Sequence, residues 1–202
     1  FGSFNHYLIP YSLDTSVFRF YNRKSTREIL NLPKDKLIIL FICDYISDKR
    51  KGFDLLAKAL DSVDKSRIHV CIVGSNFDPD LNIPEYTYFG KVYDEFKMAL
   101  IYASSDVFIL PSREDNLPNV MLESLCTGTP VIGFSIGGLK DIIKTGINGV
   151  LIDDISSEAL ATAIKGFING QWVFDNKKIS DFHREYFSQE KQVKAYLDIF
   201  KC

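Results

Sequence analysis

Several absences narrow the class of this chain before any motif is read. Its 202 residues contain no run of about 18 or more uncharged apolar residues, so no membrane-spanning helix is expected. Residues 1–9 carry no basic stretch leading into an apolar core, so no signal peptide is visible, and Phe1 in place of a start Met points to a piece of a longer protein. Neither sign of charge dominates. The 24 Lys and Arg against 26 Asp and Glu leave a net charge of -2, which argues against a general nucleic-acid or anionic-membrane binder. Cysteine is sparse and scattered: Cys43, Cys71, Cys126 and Cys202 form no CxxC pair, and no histidine stands near one at zinc-ligand spacing. The expectation is no metal site, and buried, reduced thiols in a cytoplasmic protein. His6, His69 and His183 are equally dispersed and lend no local support to a Ser-His-Asp or Cys-His centre, and His69 sits inside an apolar run and reads as packed. There is no linker rich in Pro, Gly or Ser, no low-complexity tract and no repeat, so one domain over 1–202 is the economical reading.

What is present is ordinary globular composition, 46% hydrophobic and 25% charged, enough for a substantial core. Short apolar runs alternate with amphipathic stretches. Strands are expected at 37–43, 68–74, 86–90, 106–112, 130–135 and 149–153. Helices are expected at 51–63, 93–105, 118–128, 139–143 and 156–169, with further helical pieces near 178–187 and over 188–202. The helix over 51–63 is marked by Phe53, Leu55, Leu56, Ala59, Leu60 and Val63 at helical spacing. Residues 1–36 show no strand and read as a lead-in. Strands that are apolar throughout, rather than alternating, belong to a parallel sheet covered on both sides. The fold class is therefore α/β, a Rossmann-like parallel sheet of about six strands with helices on both faces.

In such sheets ligands bind outside the carboxyl ends of the strands. The loop after Cys43, the loop after Gly74, the Gly90-Lys91-Val92 turn and the loop 111–118 should converge there, with Gly137 and Gly138 nearby. Gly74 ends its strand and lets the chain turn beside a ligand. The loop after the fourth strand carries Arg113, Glu114, Asp115, Asn116 and Leu117, and a helix begins at Pro118. The first amides of a helix are unpaired and favour a phosphate, and since Pro118 has none, Asn119 and Val120 are the expected donors. Glu123, one turn further on, would repel a phosphate but suits the two hydroxyls of a ribose, while Asp115 lies on the other side of the phosphate position. The competing reading makes Asp115 or Asn116 a helix cap and Glu123 a solvated surface residue.

Residues 106–154 resemble the signature of the family 4 retaining glycosyltransferases, a GT-B group. The matching features are the run Asp106 to Ser112, the acidic pair Asp115-x7-Glu123, and Thr127-Gly128-Thr129-Pro130-Val131. Gly137-Gly138, Asp141 and Asn148-Gly149 follow in the family's order. The resemblance extends outward through "IPYSLDTSVFRF" (9–20), "DKRKGFDLLAKAL" (48–60), "IHVCIVG" (68–74) and "YTYFGKV" (86–92). It implies one half of a GT-B fold, the C-terminal domain that binds a nucleotide-diphospho-sugar, with the N-terminal acceptor-binding domain lying outside this chain. It further implies sugar transfer to an acceptor hydroxyl with retention, without a metal or other cofactor, in polysaccharide or glycoconjugate assembly in the cytoplasm or at the inner face of a membrane. Peripheral membrane contact, common in such enzymes, would belong to the absent half.

Residue by residue, the resemblance gives Glu123 the donor ribose, Asp115 the donor sugar, Asn119 and Val120 the diphosphate, and Lys51 the leaving group. Asn116 and Leu117 fall in the same donor-binding loop, and the backbone of Lys91 and Val92 matches the segment that recognises the base. The family's arginine has no counterpart, because Tyr45 stands near its place, and Arg50, Lys49 or Arg113 could supply the second charge. Trp172 and aromatic residues 182, 186, 187, 196 and 200 read as core, with some apolar surface of the last helix left for the other domain. A nucleotide-sugar epimerase of the same fold, or a non-catalytic doubly wound binding domain, are the alternatives.

Overall fold

The structure is a computed structural model that describes Ile9 and residues 11–200. His6, Pro10 and Cys202 lie outside the described residues, as do the start of the lead-in segment and the last two residues of the expected terminal helix. The strands are β1 (Leu37–Tyr45), β2 (Ile68–Ser75), β3 (Tyr86–Tyr88), β4 (Val107–Leu110), β5 (Val131–Phe134) and β6 (Gly149–Ile152). They form one sheet, all parallel, in the order β3-β2-β1-β4-β5-β6. The helices are α1 (Arg23–Ile29), α2 (Phe53–Leu60), α3 (Glu95–Ser104), α4 (Asn119–Thr127), α5 (Leu139–Ile142), α6 (Ser157–Ile168), α7 (Asn176–Tyr186) and α8 (Gln189–Phe200).

The sheet has a core on each face, and β1 shows why its sequence is apolar without alternation. Ile39, Phe41 and Cys43 point into one layer with Leu56 and Leu60 of α2 and Leu160 and Ile164 of α6. Ile38, Leu40 and Ile42 point into the other, with Tyr102 of α3, Met121, Leu122 and Leu125 of α4, and Ile179 of α7. Each such side chain, fully removed from water, contributes roughly 1.5–3 kcal/mol. Cys43, Cys71 and Cys126 are free and buried, and burial pushes each thiol up to about 12. The two described histidines are buried as well. His69 Nε2 lies 2.8 Å from Thr87 Oγ1, and His183 bridges the Ile179 carbonyl (2.7 Å) and Asn148 Nδ2 (3.1 Å). Burial lowers the pKa of both imidazoles. No helix among the described residues is long and apolar enough to cross a membrane.

The lead-in is more structured than its composition indicates. It holds α1, capped by Asn22, whose side chain accepts from the Ser25 amide. The apolar period is missing from this helix because its buried side is polar, consisting of Thr26 and Arg27. Arg27 Nη2 reaches Asp106 Oδ2 at 2.6 Å, and its other nitrogens donate to the Ser104 and Lys36 carbonyls at 2.9 and 3.1 Å. Asp106 also takes Arg23 at 2.9 Å and the Ile38 amide at 2.7 Å. One carboxylate thus ties α1 to the entry of both β1 and β4. Replacing Arg27 by Ala should leave part of this buried charge unpaired and cost about 2–4 kcal/mol in urea-unfolding free energy. A loss under about 0.5 kcal/mol would show that the cluster is not holding the sheet.

Candidate functional site

The central strands β1 and β4 are neighbours, but the chain leaves them toward opposite edges of the sheet. This is the switch point at which such sheets open a crevice beyond their carboxyl ends. The chain leaving β1 enters a 3-10 turn at Lys49–Lys51, capped by the Asp48 side chain on the Arg50 amide. Gly52 follows with φ +74°, and a Cβ there would stand 1.9 Å from the Pro111 carbonyl oxygen. Only glycine allows this approach, which seats the 3-10 turn against the loop leaving β4. The Arg113 amide donates to the Arg50 carbonyl at 2.8 Å and fastens the two loops together.

Lys51 Nζ consequently meets Asp115 Oδ2 at 2.8 Å, with both side chains partly shielded from water. The Asn116 amide donates to Asp115 Oδ1 at 3.1 Å. Behind Asp115 stands the glycine pair. Gly137 has φ +44°, a Cβ on it would be 2.0 Å from the Asp115 carbonyl oxygen, and the Gly138 amide donates to the Asn116 carbonyl. Leu117 packs beside Gly138 and joins the core, while Asn116 and Asn119 are exposed on the rim.

Pro118 proves to be the cap residue of α4, with extended backbone (φ -71°, ψ 126°), rather than its first helical residue. The first helical amides are those of Asn119 and Val120, and they have no acceptor within the helix. One turn on, Glu123 is half-buried and accepts a 2.8 Å hydrogen bond on Oε2 from the Tyr102 hydroxyl of α3. Burial raises the Glu123 pKa; the Tyr102 hydroxyl opposes this, and the charge of Glu95 adds to it. Neither half of the competing reading holds: the cap of α4 is Pro118, with no side-chain cap bond from Asp115 or Asn116, and Glu123 is half-buried rather than solvated.

A cavity of about 290 Å³ lies at this edge, lined by Cys43, Asp44, Lys51, Gly74, Lys91, Val92, Val120 and Glu123 among others. Asp115 is not part of that wall and adjoins it through Lys51. A larger groove of about 720 Å³ beside α7 is lined mainly by apolar groups such as Ile147, Val173 and Phe182, and it lies away from the helix amides and from Lys51. Of the cations named from sequence, Arg50 pairs with Asp48 at 2.8 Å and Arg113 grips Asp54 with two bonds of 2.8 and 2.7 Å. Besides Lys51, the cation of the cavity wall is Lys91, its Nζ 4.6 Å from the centre of the Tyr45 ring. The side chains of Lys91 and Tyr102 escape sequence reasoning, because their partners lie on other elements and no local spacing announces them. Among the described residues, no three His, Cys, Asp or Glu side chains gather around one point.

The family model for Glycosyl transferases group 1 matches residues 36–169, which take in β1 through α6. A D-inositol 3-phosphate glycosyltransferase of Geodermatophilus obscurus is 25% identical over 181 residues, covering 80% of this chain and 40% of the relative. Among solved structures, sucrose-phosphate synthase of Thermosynechococcus elongatus superposes with a TM-score of 0.81 at 25% identity, over 96% of this chain and 52% of the other. HepE of Anabaena, solved with UDP-glucose, superposes with a TM-score of 0.77 at 15% identity, over 96% and 57% of the two chains, a likeness of fold alone. The chain spans about half the length, or less, of the curated relatives it matches. With the family model covering most of its length, this α/β chain belongs to the group 1 glycosyltransferases.

Proposed function

We propose that the chain is the donor-binding part of a retaining, metal-independent glycosyltransferase that moves a sugar from a nucleotide-diphospho-sugar to an acceptor hydroxyl. The observation that carries this reading is the meeting of Lys51, Lys91, Val120 and Glu123 in the wall of one cavity at the switch point. The α4 amides at Asn119 and Val120, with Lys51, take the diphosphate. Lys91 supplies the second positive charge, a role for which Arg50 and Arg113 are less suited because neither lines the cavity, each being turned to a carboxylate outside its wall. Glu123 accepts from the ribose hydroxyls, Asp115 orients the donor sugar, and the backbone at Gly74, Lys91 and Val92 borders the base.

In the reaction the bond from the anomeric carbon to the phosphate oxygen breaks. The diphosphate departs with the electron pair, and its growing charge is met by fixed donors and two ammonium groups. The acceptor oxygen forms the new glycosidic bond, and its proton passes to the departing diphosphate oxygen. The acceptor-binding half belongs to sequence beyond this chain, as the half-length matches to curated relatives suggest. The exposed Val193, Tyr196, Leu197 and Phe200 of α8 offer it an apolar surface. The acceptor belongs to polysaccharide or glycoconjugate assembly, and the 202 residues alone bind donor without transferring sugar.

Calorimetry of the 202-residue chain with UDP, GDP and ADP tests the reading. One of the three should bind, and a folded chain that binds none would overturn it. Lys51→Ala and Lys91→Ala should each weaken the diphosphate about 10- to 100-fold, the value of a charge-assisted contact, while affecting the matching monophosphate less. Equal losses for both nucleotides would remove the two lysines from the diphosphate site.

The same titration has a pH dependence of fixed sign. Glu123 must be ionised to accept two hydroxyl protons, and its pKa lies above the ordinary glutamate value of 4.5. Affinity should therefore decline as the pH falls from neutrality through that raised pKa, before ordinary carboxylates protonate. In Glu123→Gln most of the affinity should be lost, and the decline that remains should be only that of the ligand's own terminal phosphate, which titrates at about pH 6 and is measured separately on the free nucleotide. A wild-type profile with the same shape as that of Glu123→Gln down to the usual glutamate range would contradict the role.

A further inference from the structure

We infer that Tyr102 is a positioning residue: its hydroxyl fixes the Glu123 carboxylate so that the site distinguishes a ribose diol from a deoxygenated sugar. The inference rests on the proposed role of Glu123 and deepens it.

A glutamate one turn into a helix ordinarily samples many rotamers, and ordering it would oppose ligand binding. Here that freedom is already removed. Tyr102 is fully buried, its ring edge-on to Phe108 (centroids 5.8 Å apart, 84°) and to Phe18 (6.5 Å, 68°). Its carbonyl accepts from Thr129 Oγ1 at 2.7 Å, and the Thr129 carbonyl in turn accepts from Ser124 Oγ at 2.9 Å. Tyr102 is thereby tied to both α4 and the turn that follows it. The phenol has no freedom to search for another partner, and a buried hydroxyl without one is costly. It donates to Glu123 Oε2, while Oε1 carries no hydrogen bond among the described residues. With Oε2 taken by the phenol, Oε1 is the acceptor that Glu123 has left to bring to the cavity it lines. Two ribose hydroxyls are the donors that match an acceptor-only group fixed in this way.

The alternative is that Glu123 merely satisfies a core tyrosine. The two readings separate in Tyr102→Phe, which deletes one oxygen and keeps the ring. The nucleoside diphosphate that binds the 202-residue chain (UDP, GDP or ADP) is titrated alongside its 2′,3′-dideoxy counterpart. The wild-type chain should prefer the ribonucleotide by about tenfold or more, the equivalent of one to two hydrogen bonds to a charged group. In Tyr102→Phe the preference should shrink to about threefold or less, with affinity for the dideoxy form nearly unchanged. Phe108→Leu loosens the same aromatic cluster but spares the hydroxyl, so it should keep the preference. If Tyr102→Phe retains the full ratio, or weakens both nucleotides equally, the inference fails while the ribose role of Glu123 stands. If the wild-type chain shows no preference, the role of Glu123 fails first. Should Tyr102→Phe not fold, Glu123→Asp withdraws the carboxylate from the hydroxyl while keeping its charge, and an undiminished ratio there would also overturn the inference.

Discussion

The pairing of β1 with β4 at the middle of the sheet is the constraint on which the cleft depends. Ile39 and Leu40 of one strand align with Val107 and Phe108 of the other. At the entry end Asp106 receives two arginines and the Ile38 amide of β1. At the exit end the absence of a side chain on Gly52 lets the backbone rest against Pro111. A parallel pair fixed at both ends leaves little freedom for the loops that leave it. Lys51 meets Asp115 because the strands bearing their loops cannot slide, although the two residues are far apart in sequence.

The polar groups at the cleft are not arranged for maximal stability. Glu123 is drawn into a half-buried setting where its ionised form is disfavoured, with Glu95 adding to the effect. A neutral side chain there would suit the fold better, and a carboxylate suits a ligand better, which is the usual tension at a functional site. Around Asp115 the logic differs. Its loop is propped by Gly137 and Gly138, its charge is met by Lys51, and its Oδ1 takes a backbone amide. One acid is held from a protein core, the other from a loop stacked on glycines.

The sheet was legible because buried strands are continuous apolar runs ended by polar or glycine residues. All six strands appear where such runs occur, with no end shifted by more than two residues. The helix α1 was not legible, since it buries Arg27 and Thr26 and has no apolar stripe for a periodicity to detect. At the site, what depends on backbone chemistry could be read. Pro118 and the glycines announce a free helix end and tight turns, although the proline lies one position outside the helix. What depends on contacts between elements could not. Tyr102 looks like any apolar position of α3, and the stacking of Lys91 on Tyr45 joins loops that follow different strands.

Far from the cleft, the Asn148-Gly149 pair at the start of β6 has a consequence of its own. Asn148 accepts from the Lys144 amide, donates to the Ile142 carbonyl and donates to His183 Nε2 on α7. With its Nδ1 proton given to the Ile179 carbonyl, the imidazole is neutral, and its pKa is lowered by burial below the free value of 6.5. The stabilisation from this neutral contact is present above that free value and drains away in mild acid, when a proton on Nε2 would face the amide protons of Asn148. Acidification therefore acts on the seam where α7 is stitched to the last strand, a second place, beside the buried His69 of β2, at which a proton taken up works against the fold.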